Sequence, residues 1–212
     1  MKILVRELPP IGTNVYLLIN EAIQKCVVID ASQGAYDWAQ KVASDNKLSI
    51  EALILTHGHW DHTIDAHRFQ DAGIQIVGHE DDLIMFTQPE LMMTHALPGL
   101  QLKPVSIDKW IGGGDLLDLE TAPLKVAHVP GHCPGNVSLY HEASKSVFVG
   151  DALFKGSIGR CDLPLGDFAT LERSVREEIY TLPVETVVYP GHGPTTTVGV
   201  ERSTNPFVKA IR

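Results

Sequence analysis

Residues 55–62 read LTHGHWDH, and the run that leads into them, ALILT at 52–56, has the composition of a buried strand. Three histidines and an aspartate, His57, His59, Asp61 and His62, therefore crowd into six positions directly after apolar chain. With 10 histidines in 212 residues, chance would produce an H-x-H-x-D-H pattern in about one such chain in a thousand. A solvated polar turn is the plain alternative. Metal binding is the sharper one, because imidazole nitrogen and carboxylate oxygen are the donors that divalent cations take. In extended chain His57 and His59 project to the same side and can share one cation. Asp61 and His62, further along a turning chain, can face a neighbouring one.

That reading demands more donors elsewhere, since a catalytic centre wants three or four per cation plus an open position. The demand is met three times, each time after a β-rich run and beside glycine. LKVAHVPGHCPG supplies His132, SVFVGDALF supplies Asp151, and ETVVYPGHGP supplies His192. Glycine at such places lets backbone approach a crowded centre. The expected arrangement is His57, His59 and His132 on one divalent ion and Asp61, His62 and His192 on a second. Asp151 lies between them, its two oxygens able to bridge ions held ~3.5–4 Å apart. Zinc is the expected metal, with iron or manganese as alternatives.

Outward from these motifs the chain alternates strands and helices. ILVREL (3–8), NVYLLIN (14–20) and CVVID (26–30) read as an antiparallel start, and Gly34–Asn46 as a helix. A helix over 63–72 ends at Gly73, IQIVG (74–78) is a strand, and HEDDLIMF opens a short helix. Residues 88–114, with Met92, Met93, His95 and Trp110, form a long irregular excursion that is either a substrate-facing lid or a packed loop. Strands resume at DLLDLE, LKVAHV, NVSLY and SVFVG. A helix N-capped by Asp167 follows, then VETVVYP as the last strand, and TTTVGVERSTNPF docks the tail beside the active-site loops. Mixed alternation in two comparable halves indicates an α/β (α+β) layered sandwich.

Hydrophobic residues make up 44% and charged residues 20%, enough for a substantial core. A formal charge of −9 argues against nucleic acid and anionic membranes as partners. No apolar run reaches the ~20 residues of a membrane span, and MKILVRELPPIGTN does not read as a signal peptide. Three cysteines, Cys26, Cys133 and Cys161, show no C-x-x-C spacing, so a reducing cytoplasm is expected and a thiolate zinc site is not. Oligomeric state is left open.

THGHWDH, GHCPG, GDALF and PGHG together resemble the metallo-beta-lactamase-fold hydrolases, in that family's order and over essentially the whole chain. GDALFKGSIGRCDLP and PGHGPTTTVGVERSTNPF resemble the small bacterial glyoxalase II-like branch more narrowly. The resemblance implies a four-layer αβ/βα sandwich and a hydroxyacyl thioester hydrolase of the S-lactoylglutathione type. It implies one domain over 1–212, without the C-terminal helical extension that contacts glutathione in the typical enzyme. A hydroxide shared by the two cations would attack the thioester carbonyl, with Asp151 bridging and Asp61 orienting the hydroxide or carrying a proton. Arg160 matches the basic residue that holds glutathione, and Lys155 is a second candidate for attracting a substrate carboxylate.

Two other classes compete. Persulfide dioxygenases resemble this family and use one iron on residues matching His57, His132 and Asp151. A non-catalytic metal-binding module is the other, although structural zinc sites are typically closed and cysteine-rich. His67, His79, His128 and His141 read as helix, helix-start or strand residues rather than ligands.

Overall fold

The computed structural model describes residues 1–93 and 96–209. β1 (Lys2–Leu8), β2 (Thr13–Asn20) and β3 (Lys25–Ile29) pair antiparallel in sequence order. Helix α1 (Ala35–Asn46) then crosses to β4 (Ser49–Ile54), which runs parallel to β3. Helices α2 (Trp60–Thr63) and α3 (Ala66–Asp71) lead to β5 (Gln75–Gly78), parallel again. After α4 (Leu83–Thr87) and a long connection, β6 (Lys109–Trp110) closes the edge of this first sheet.

The second sheet is built from β7 (Leu116–Leu117), β8 (Leu124–His128), β9 (Val137–His141) and β10 (Ser146–Gly150), all antiparallel neighbours. Helix α5 (Phe168–Ser174), continued by a π-helical turn over Val175–Ile179, returns the chain to β11 (Val187–Pro190), parallel to β10. β12 (Thr196–Thr197) and α6 (Val198–Thr204) finish the described chain. Among the described residues each sheet therefore holds six strands in sequence order.

Period-two alternation explains the layering. Along β2, Val15, Leu17 and Ile19 pack with Cys26, Val28 and Leu53 against Ala35, Ala39 and Ala43 of α1 and Phe69 of α3. The intervening Tyr16 and Leu18 point the other way, into a core with Val27, Ile54, Val126, Leu139 and Phe148 between the sheets. The outer face of the second sheet, with Val147, Val149 and Val188, packs on Leu171, Val175, Ile179 and Val198. Helix, sheet, sheet and helix form the four layers. The alanines of α1, spaced four apart, let that helix lie close to its sheet.

Three local expectations change. The helix expected over 63–72 is two helices, and the first starts at Trp60, so Asp61 and His62 are helical. VETVVYP is followed by one more strand, since Thr196 and Thr197 pair antiparallel with Val188 and Val187. Within 88–114, Lys109–Trp110 joins the first sheet and Val105 is buried in its core, so the excursion is anchored.

The two sheets meet along one edge. Asn14 N–H donates to Gly191 O at 2.7 Å, Tyr16 Oη to Pro190 O at 2.6 Å, and Val137 N–H to Thr56 O at 2.9 Å. The ends of β4, β10 and β11 converge there.

Candidate metal centre

All seven expected donors come together at that edge. His57 and His59 lie in the loop after β4, and Asp61 and His62 on the single turn of α2. His132 lies between β8 and β9, Asp151 directly after β10, and His192 after β11. Six are buried and His192 is partly exposed. Their ligand atoms form overlapping groups, each within 4.8 Å: His57, His59 and His132; His57, His62 and Asp151; Asp61, His62 and His192.

The outward partners of the rings assign the tautomers. His57 Nδ1 faces Thr56 Oγ1 at 3.1 Å, and that hydroxyl donates to Asp30. His62 Nδ1 donates to Asp30 Oδ2 at 2.8 Å, His132 Nδ1 to Arg160 O at 2.7 Å, and His192 Nδ1 to Gly12 O at 3.2 Å. With Nδ1 engaged, each of these rings turns Nε2 inward, where it becomes a lone-pair donor once the ring is neutral, while His59 presents Nδ1, 2.8 Å from His132 Nε2.

The electrostatics divide the site. Burial, reinforced by neighbouring imidazoles, holds His57 well below the ordinary histidine value and His59 down to about 3, so both stay neutral. At His62 burial is outweighed by the carboxylates of Asp61, Asp30 and Asp151, which raise it. His192 is raised likewise, burial being outweighed by Asp61 and Asp151. Burial alone would push Asp61 and Asp151 up, but His62 and its neighbours hold both carboxyls low.

His57 Nε2, His62 Nε2 and Asp151 Oδ1 are buried without a well-formed hydrogen bond, although His62 Nε2 lies 3.3 Å from Asp151 Oδ1 and 3.2 Å from Asp61 Oδ2. Such atoms are costly unless something satisfies them. Three such atoms facing one another, two delivered after β4 and one after β10, fit divalent cations, and the His/Asp chemistry is that of an open site rather than a closed structural one. Gly191 shows how tightly the space is kept, because a Cβ there would run into Asp151 Oδ1 and His62 Cε1.

Sequence reasoning missed the residues that hold the donors. Asp30 directly follows the run CVVI much as Asp151 follows SVFVG, so a strand-end signal is present, though without the glycine. Its Oδ1 accepts from Thr56 N–H at 2.8 Å, and its Oδ2 from His62. Thr13 Oγ1 donates to Asp61 Oδ2 at 2.8 Å, and Asn14 Nδ2 to Gly193 O at 2.8 Å. Asp82, fully buried, accepts from Gly58 N–H and Gly135 N–H at 2.7 Å each and from Cys133 Sγ at 3.1 Å. It clips the HGH loop to the GHCPG loop. The tail buttresses the loop after Asp151, where Glu201 Oε2 accepts from Gly156 N–H and Asn205 Nδ2 donates to Ser157 O.

Among the remaining histidines, His79 accepts from Asp81 N–H at the start of a 3-10 turn, as expected, and stacks on His128 at 4.1 Å. His128 Nε2 donates to Pro134 O at 2.6 Å, so that ring nitrogen is occupied.

A cleft of about 630 Å³ opens over His59, Asp61, His132, Asp151 and His192. Arg160 lines it, but its Nε and Nη2 donate to Asp162 Oδ1 and Oδ2 at 2.7 Å. Lys155 is exposed and is not among the lining residues. Met92 lines the cleft and packs with Trp60, Met85 and Cys133; Met93 is exposed, and His95 lies outside the described residues.

The sequence matches the metallo-beta-lactamase superfamily over residues 8–192, and the chain belongs to that superfamily of metallo-hydrolases. It is 34% identical to hydroxyacylglutathione hydrolase GloC of Haemophilus influenzae over 91% of this chain and 92% of that protein. The crystal structure of BLEG-1 B3 metallo-beta-lactamase superposes with a TM-score of 0.90 at 34% identity, covering 97% of this chain and 99% of the other. TTHA1623 in a di-iron-bound form gives a TM-score of 0.81 at 33% identity, covering 97% and 100%. Among the described residues no helix is long and apolar enough to cross a membrane.

Proposed function

We propose that this chain hydrolyses a hydroxyacyl thioester at a pair of divalent cations, zinc by preference, as glyoxalase II does. The observation that carries the reading is the set of seven inward-facing donors, five of which line the floor of the cleft while His57 and His62 lie buried behind it. The likeness to a hydroxyacylglutathione hydrolase supports the substrate class, and that to a protein in a di-iron-bound form supports two cations. His57, His59 and His132 would hold one, Asp61, His62 and His192 the other, with Asp151 between.

When bound, such cations supply Lewis acidity, lowering the pKa of water toward ~7 and polarising an acyl carbonyl. The chain's own residues do the remaining work. Asp30, Thr56, Gly12 O and Arg160 O lock the rings so that the donors need no reorganisation. Asp61, steadied by Thr13 and facing the cleft, orients the attacking water and receives its proton. The thiol leaves as thiolate, because its pKa of ~8.5 makes that form accessible without a strong general acid.

The test is to strip the protein with chelator, reload it with zinc, iron or manganese, and assay S-lactoylglutathione, other thioesters, a lactone, a β-lactam and a phosphoester. Metal-dependent thioester cleavage is expected. Loaded protein that cleaves no thioester above the chelated control, or that consumes oxygen with glutathione persulfide, overturns the reading.

A further inference from the structure

The walls of the cleft are apolar to a degree that the thioester reading does not require. Trp60, Ile84, Leu91, Leu97, Ile158 and Leu165 line it. Several remain open to solvent, Leu91 at 55% and Leu165 at 67%. Scattered exposed leucines need no explanation, but a contiguous set rimming a catalytic floor does. Among the described residues Arg160 is the one lysine or arginine on the lining, and the Nε and Nη2 edge of its guanidinium is taken by Asp162.

Leu165 adds an independent sign. Gly166 N–H donates to Leu163 O at 2.9 Å, closing a turn whose central residues are Pro164 and Leu165. Leu165 has φ 70°, in the left-handed region that this turn position normally reserves for glycine. The chain holds a strained leucine with its side chain in solvent at the mouth of the cleft, one residue before a glycine that would fit the turn. Backbone strain at an exposed apolar residue is worth explaining by what the side chain meets.

We infer that the cleft selects thioesters whose thiol arm is neutral and apolar, and that Leu165, with Leu91, grips that arm. The inference rests on the thioester reading for the acyl end alone. The arm's chemistry follows from the walls. A two-carboxylate arm such as glutathione would find one guanidinium, already paired, and otherwise hydrocarbon. A cleft of about 630 Å³ is of ordinary small-molecule size, so it has room for an apolar arm as well as the acyl group.

The experiment uses three arms on one hydroxyacyl group: glutathione, N-acetylcysteamine and N-octanoylcysteamine. Hydrolysis of the lactoyl thioesters by the metal-loaded protein is read beside calorimetric binding of their thioether analogues, which cannot be cleaved. The octanoyl arm should bind at least tenfold more tightly than either of the others and raise kcat/KM by a similar factor. Leu165→Gly relieves the turn, so it should hold the melting temperature while weakening the octanoyl analogue at least fivefold and leaving the glutathione analogue unchanged. Leu91→Asn should weaken the octanoyl analogue likewise. Tighter binding of the glutathione analogue, or a Leu165→Gly effect equal on both arms, overturns the inference. If no thioester is cleaved but the octanoyl thioether still binds best, the hydrolase reading fails and the apolar selectivity stands.

Discussion

Replacing Asp82 by asparagine tests whether the metal donors are held by a residue that touches none of them. The carboxylate accepts backbone N–H groups from Gly58, between His57 and His59, and from Gly135, in the loop of His132, both at 2.7 Å. Cys133 Sγ donates to it at 3.1 Å. Asparagine keeps the shape and one acceptor oxygen, but its amide nitrogen would confront one of those N–H groups. One charge-assisted hydrogen bond, about 1.5–3 kcal/mol, is lost and a buried donor is orphaned at about 1–3 kcal/mol. Burial already raises the Asp82 carboxyl above its ordinary value, so removing the charge returns part of this. A net loss of about 2–4 kcal/mol follows, on the order of 10 °C in melting temperature for a chain of this size. Loosening both loops of the three-histidine set should also weaken its metal affinity by about 10–100-fold, read by chelator competition with metal quantification. Cys133→Ser keeps a donor to Asp82 and should do much less. Asp82→Asn protein that melts lower yet holds metal as tightly as the parent would reduce Asp82 to a packing residue. Unchanged melting would refute the hydrogen-bond reasoning itself.

Other expectations follow from the same geometry. His57→Ala and Asp151→Ala should each lose bound metal and thioesterase activity; retained turnover in metal-depleted Asp151→Ala protein would contradict the donor assignment. Gly191→Ala drives a methyl toward Asp151 Oδ1 and His62, so metal content should fall while circular dichroism stays native; full metal occupancy would show that the loop yields. His59, held at about 3, and the lowered His57 contribute stability in chelated protein that is present above ~6.5 and lost as pH falls toward their folded values. The loss is on the order of 1.4 kcal/mol per pH unit per residue. His62 and His192 are raised, so their contribution is complete below ~6.5 and adds no slope there. Melting temperatures between pH 6.5 and 5 should therefore fall, and His59→Gln should flatten the trend; an equally steep variant would exclude His59 as its source.

How much of this was legible depended on the kind of information. LTHGHWDH announces donors because metal chemistry confines ligands to a few residue types, and strand ends marked by glycine led to His132, Asp151 and His192. Alternation along TNVYLLIN and the four-residue alanine spacing of α1 record which face is buried, since those periods are properties of the backbone itself. Arg160 illustrates the limit: the family resemblance gives it a substrate carboxylate as partner, and the sequence does not show that the fold also sets it against Asp162 within its own loop.

The sequence by itself determined the layered α/β class, the seven histidines and aspartates proposed as donors and the order in which strands deliver them, because each is written in residue type and local spacing. Only the tertiary structure decided which ring nitrogen faces inward, how Asp82 joins loops 24 and 53 residues away, and that leucines rather than cations wall the cleft. Those are matters of distance and direction between segments with no shared period, and they exist only once the two sheets have closed on each other.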